Sequence, residues 1–163
     1  CHGAVRDSAN PGTSLLYGDI NMDDGPCSLA WFELRQSIPE KMYWTFHTKK
    51  GAFYYEAIPA GGFQFSTFGG YPGFFRSFFL NIGKYVFTFP RQSEPFTVGT
   101  DEMRYLGSYR YVPKGSILFP NETFDLIPEP RVNESDILAI IAPYAKGTRW
   151  ERRIRDRLTG SKS

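Results

Sequence analysis

Gly51-Ala52-Phe53-Tyr54-Tyr55-Glu56-Ala57-Ile58-Pro59-Ala60-Gly61-Gly62-Phe63-Gln64-Phe65-Ser66-Thr67-Phe68 is aromatic-rich sequence interrupted once, at Pro59 to Gly62. Aromatic side chains fit a pleated, half-buried surface, so each half reads as a strand. Lys49-Lys50-Gly51 reads as a turn leading into the first, with Gly51 permitting a hairpin and Phe53 and Ile58 entering the core. Pro59 with Gly61 is expected to set a tight turn that returns the chain as the next strand. In that strand the alternation places Phe63, Phe65 and Thr67 on one face.

The same pattern extends outward. Thr13 to Asn21 carries Leu15, Tyr17 and Ile20 and closes on the turn Asp23-Asp24-Gly25-Pro26. Ser28 to Gln36 alternates, and Met42 to His47, Tyr85 to Phe89, Arg104 to Val112, Ser116 to Phe119 and Thr123 to Ile127 read as further short strands. Short strands with Gly and Pro punctuation predict a mainly β chain, a β-sandwich or barrel of about seven to nine strands. Helix is expected only at the end. Asn133 or Ser135 caps a segment from Glu134 toward Ala145 that Pro143 shortens or kinks. A second helix starts near Thr148 and ends before Gly160, with Trp150, Ile154 and Leu158 recurring at spacing four. The division expected is a tether at 1–13, the β domain at 14–130 and helices packed on or beside it at 131–163.

Gly51-x-Phe53, Ile58-Pro59-x-Gly61 and Phe63-x-Phe65 together resemble the repeating signature of transthyretin-like and carboxypeptidase regulatory-like domains. Met103-Arg104-Tyr105-Leu106-Gly107-Ser108-Tyr109-Arg110-Tyr111 is similar to a strand of related bacterial lipoproteins of unknown function. The likeness runs loosely over residues 14–128 and departs from the family in the extra Gly62 and the longer Gly69 to Phe79 segment. It implies an Ig-like β-sandwich, a fold common in accessory modules of exported proteins, which bind or build and do not catalyse.

Cys1 is followed by a small, polar stretch from His2 to Thr13 in which only Ala4 and Val5 are apolar. This resembles the mature amino terminus of bacterial lipoproteins, where the cysteine carries a diacylglycerol on sulfur and often an acyl group on the amine. One fatty chain gives only marginal membrane binding at about 0.8 kcal/mol per buried methylene, so a diacylated or triacylated Cys1 would suffice where a single chain would not. Three other readings stand beside it: a disulfide with Cys27, a remnant of processing, and an amino-terminal nucleophile whose own amine serves as base. No apolar stretch approaches the roughly 20 residues of a spanning helix, so attachment is expected through the lipid on Cys1. The missing aspartate at position 2 resembles enterobacterial sorting to the outer membrane, with the domain facing the periplasm or the surface.

A net charge of +2 gives no steering toward nucleic acid, and no nucleic-acid partner is expected. Two cysteines and two histidines form no zinc, haem or redox motif, and no nucleophile elbow, phosphate loop or dinucleotide fingerprint occurs. Asp19, Asp23 and Asp24 with Asn21 have spacing compatible with calcium, yet the distal glutamate and glycine of a calcium loop are missing, so a solvated turn is expected. No catalytic residue, metal or cofactor is assigned beyond the covalent lipid.

The segment from Phe68 to Leu80 supplies the interaction site. Its glycines and proline make a loop, while Phe68, Tyr71, Phe74, Phe75, Phe78 and Phe79, with Arg76 at the rim, make that loop too apolar for water. The alternative is that these rings plug one end of the sandwich. Arg149, Arg152 and Arg153 on the last helix are candidate contacts to anionic head groups, against a reading as a solubilised helix face. The expected function is an accessory or scaffolding subunit bound to another envelope protein. A carrier for a lipid or carbohydrate is the alternative, and an amino-terminal cysteine hydrolase stands behind both.

Overall fold

The computed structural model describes residues 10–44, 46–47, 51–73, 78, 83–89, 94–114 and 124–160. The strands are β1 (Thr13–Asn21), β2 (Trp31–Gln36), β3 (Lys41–Trp44), β4 (Phe46–His47), β5 (Ala52–Pro59), β6 (Gly61–Gly70), β7 (Tyr85–Thr88), β8 (Phe96–Val98), β9 (Met103–Pro113) and β10 (Phe124–Pro128). Helix α1 (Glu134–Ile141), a 3₁₀ turn (Ala142–Ala145) and helix α2 (Trp150–Gly160) complete the chain. One sheet runs β10-β9-β1-β5-β4, with β1 and β9 parallel. The other runs β3-β2-β6-β7, and β8 joins it on β6.

The chain is mainly β with a short carboxy-terminal helical segment, in agreement with the sequence. The expected strand at 116–119 lies outside the described residues, and β8 was too short to give a periodic signal. The Pro59–Gly61 turn differs in kind from the expectation. β5 pairs with β1 and β4, β6 pairs with β2, β7 and β8, and the two strands belong to different sheets. The break is therefore a corner that carries the chain from one sheet to the other.

The two sheets face each other across an aromatic core. Leu16, Ile20, Phe53, Tyr55 and Tyr111 from the first sheet pack with Phe32, Leu34, Phe63, Phe68 and Phe87 from the second. Phe32 and Phe53 stack across the interface at 4.2 Å between ring centroids. A second apolar cluster lies behind the first sheet, where Leu15, Tyr17, Ala52 and Tyr54 meet Ile137, Leu138, Ile141, Trp150 and Ile154 of the helices. Both faces of β1 and β5 are consequently buried, and the domain has three layers: sheet, sheet, helices.

Register shifts set which residues point inward. Phe32 pairs with Phe68 while Leu34 pairs with Phe65, so β6 carries one more residue than β2 between those pairs. The inward set therefore continues from Phe63 and Phe65 to Phe68, not to Thr67 as strict alternation predicts. The same device in β5 sends Tyr55 and Ile58 to one face, because Ser14 pairs with Ile58 and Leu16 with Tyr55.

The helices start and stop for local reasons. Asn133 caps α1: its Oδ1 accepts from Asp136 N at 3.0 Å, and Asp136 Oδ2 accepts from Asn133 N at 3.0 Å. Pro143 lies in the 3₁₀ turn that ends α1 early. Thr148 Oγ1 accepts from Trp150 N at 3.2 Å where α2 begins. Among the described residues no helix is long and apolar enough to cross a membrane.

Candidate functional site

A groove of about 1150 Å³ opens between the end of β1, residues 28–30 and α1. Asp19, Asp23, Asp136 and Arg131 supply its charges, Tyr71 and Tyr144 its aromatic rings, and Ile20, Leu29, Ile137 and Ile140 much of its apolar wall. Asp19 shares strand parity with Leu15 and Tyr17, which face the helices. It is only 6% exposed, and its carboxylate has no hydrogen-bond partner among the described residues. Burial, with Glu129 and Asp23 adding like charge, raises its pKa to about 6. The solvated turn expected at Asp19 is thus corrected: Asp23 and Asp24 are exposed, and Asp19 is buried in the groove. No cluster of three or more metal-ligating side chains occurs among the described residues.

Glycine and aromatic residues shape the mouth. Gly51 has φ +86°, and a Cβ there would stand 3.3 Å from Asp19 Oδ1. Gly69 and Gly70 belong to the end of β6 and not to a loop. A Cβ on Gly70 would lie 1.9 Å from the Ser28 carbonyl oxygen, and one on Gly69 would lie 2.6 Å from the Trp31 ring. Trp31 in turn meets Tyr71 at 6.1 Å between ring centroids.

The candidate interaction residues separate accordingly. Tyr71 is 66% exposed and lines the groove, and Phe78 is 72% exposed. Phe68 is fully buried in the core, since the extra residue in β6 turns its ring inward, and it cannot serve as a surface contact. Phe74, Phe75, Arg76 and Phe79, like Cys1, lie outside the described residues. Cys27 is buried in the core.

The arginines at and just before the start of α2 also separate. Arg149 and Arg153 place their guanidinium groups 4.1 and 4.9 Å from the Trp150 ring centroid. Both donate to Asp101 Oδ1, at 2.9 and 2.8 Å, and Arg149 Nη2 also donates to Thr13 Oγ1 at 3.1 Å. Both charged groups are engaged by Asp101, with the Arg149 side chain 21% exposed and that of Arg153 38%. Arg152 projects outward, its side chain 89% exposed, and pairs loosely with Asp156 at 3.9 Å.

Beside the groove, Tyr17 Oη donates to Glu134 Oε1 and accepts from Arg157 Nη1 at 3.0 Å. Arg157 Nη1 also donates to Glu134 Oε1 at 3.0 Å. Burial, and then the hydrogen bond to Glu134, pushes the Tyr17 phenol well above its ordinary pKa. It is a structural tie between β1 and both helices. The sequence reading missed the roles of Arg131, Asp136 and Tyr144 as groove residues, because they lie over a hundred positions from Asp19. The parity of Asp19 with Leu15 and Tyr17 was the one available signal.

No protein-family model, curated protein or solved structure matches this chain.

Proposed function

We propose that this protein is a lipid-anchored, non-catalytic accessory subunit of the bacterial outer envelope, held by an acylated Cys1 and bound to another envelope protein through the face around Tyr71 and Phe78. The observation that carries this reading is the exposure of these two rings, 66% and 72%, with Tyr71 beside a groove of about 1150 Å³. Large exposed aromatic rings, one of them beside a concavity, are characteristic of partner surfaces. The two-sheet body is read as an Ig-like, transthyretin-like sandwich, a reading supported by Gly51, Pro59 and Gly61 at the turn and corner around β5. Arg152, its side chain 89% exposed, is available to an anionic head group.

Capture of the partner from solubilised envelopes tests the reading. Tyr71→Ser with Phe78→Ser should abolish capture while the circular dichroism spectrum stays that of the wild type; undiminished capture by the folded double variant sinks it. Intact mass of the natively purified chain tests the anchor separately, and Cys1 without acyl mass overturns it. The size of the groove favours a second reading, a carrier of a lipid or carbohydrate, which predicts a ligand that co-purifies and is retained in native mass spectrometry.

A further inference from the structure

We infer that the groove is a lysine site: an ε-ammonium on a segment of the envelope partner enters between β1 and α1 and pairs with the Asp19 carboxylate. The inference rests on the partner-binding reading above and names the chemistry that its surface takes.

Asp19 is the reason. A carboxylate that is 6% exposed and has no hydrogen-bond donor among the described residues is held at a cost in free energy that a cationic donor would offset. It lines an open groove, so such a donor can reach it. Gly51 keeps the approach clear, since a Cβ there would press on Oδ1 at 3.3 Å. The groove is also acidic, with Asp19, Asp23 and Asp136 against Arg131. Its walls are apolar, which selects a charge carried on an apolar stem. Lysine meets both demands with a compact ammonium on four methylenes, whereas the broader planar fork of arginine suits a more open bidentate site.

Binding should depend on pH. Among the described residues the charged or titratable groups around Asp19 are Asp23 after β1, Tyr105 on β9, Glu129 and Arg131 after β10, and Asp136 on α1. Burial opposes ionisation of Asp19 most, and Glu129 and Asp23 oppose it further. An ammonium binds the ionised form, so its affinity is full above about pH 6 and falls as Asp19 protonates.

The test uses the full chain, labelled with ¹³C at the aspartate carboxyl carbons, and n-hexylammonium chloride as probe, with n-hexanol as the uncharged control. Hexylammonium should shift the Asp19 resonance, bind about tenfold more weakly at pH 5 than at pH 7.5, and lose that pH dependence in Asp19→Asn along with most of its affinity. Hexanol should leave the Asp19 titration unmoved. Failure of hexylammonium to perturb Asp19, or equal affinity at the two pH values in the wild type, overturns the lysine site without recourse to a variant. Partner capture keeps the two readings apart. Capture by Asp19→Asn at the wild-type level, with capture lost in Tyr71→Ser/Phe78→Ser, overturns the lysine site and leaves the partner-binding reading standing. Capture undiminished in the aromatic double variant overturns the broader reading.

Discussion

Trp150 Nε1 donates a hydrogen bond to the Glu56 carbonyl oxygen at 2.9 Å, joining the last helix to β5 where that strand carries its extra residue. The indole is fully buried between Arg149 and the apolar cluster behind the sheet. Replacing it with phenylalanine keeps much of the packing and removes the donor, for an expected loss of about 1–3 kcal/mol. Trp150→Ala removes the ring as well and should cost about 3–5 kcal/mol. Urea unfolding of the two variants checks both, and wild-type stability in Trp150→Phe would show that the hydrogen bond contributes nothing.

Arg149, just before α2, and Arg152, within it, lie three positions apart and should behave differently. Arg149→Ala loses the stack on Trp150 and the bonds to Asp101 and Thr13, and should destabilise the domain by about 1–2 kcal/mol. Arg152→Ala removes only a long, exposed ion pair and should stay within about 0.5 kcal/mol of the wild type. In vesicle binding the order should reverse, with Arg152→Ala weakening attachment to anionic lipid more than Arg149→Ala does.

Asp19 makes stability depend on pH. Its folded-state pKa of about 6 stands above the ordinary value of 3.8, so the folded state holds the proton more tightly than the unfolded chain. The associated stabilisation is present below the unfolded value and is lost as pH rises through about 6. Asp19→Asn should remove this dependence, so that from pH 4 to pH 7.5 the variant gains about 1–3 kcal/mol relative to the wild type. Guanidinium unfolding at several pH values measures it, and parallel curves for the two proteins would contradict it.

Phe68 and Thr67 test the register of β6. Phe68→Ala should cost about 3–5 kcal/mol because the ring is fully buried among Phe87, Phe89 and Phe124. Thr67→Ala should cost less than about 1 kcal/mol, since Thr67 does not belong to the core. Thermal melts of the pair decide the matter, and a reversed order would place the extra residue elsewhere.

Gly70 and Gly73 separate strand from connection. Gly70→Ala drives a Cβ against the Ser28 carbonyl and should destabilise by more than about 3 kcal/mol or prevent folding. Gly73→Ala meets nothing within 4 Å and should be close to neutral. Soluble yield and melting temperature of the two variants report the contrast.

Much of the architecture was legible in the sequence because it depends on local periodicity. The strands around Leu15 and Tyr17, Phe32 and Leu34, and Phe53 and Tyr55 announce themselves by alternation, and α1 by Asn133 and Pro143. Alternation fails where a strand gains a residue, which is why Thr67 reads on the face of Phe63 and Phe65 that Phe68 takes. Pro59 to Gly61 signalled a change of direction. Nothing local distinguishes a hairpin from a corner between sheets, because that depends on which distant strands, β1 or β2, are already there to pair with.

The groove shows the same division. The sequence alone supplied the residue types: an aspartate in the parity of Leu15 and Tyr17, an aromatic segment after Phe68, and arginines spaced around Trp150. Their environments came from the packing of remote elements. Helix α1 and the turn before it turn Asp19 from a strand-end acid into a buried carboxylate, and Asp101 draws two of the arginines onto the domain. Period and capping are properties of neighbouring residues, so they can be read along the chain. Burial and charge pairing are properties of what the fold brings alongside, and they arise only when β1, α1 and α2 meet.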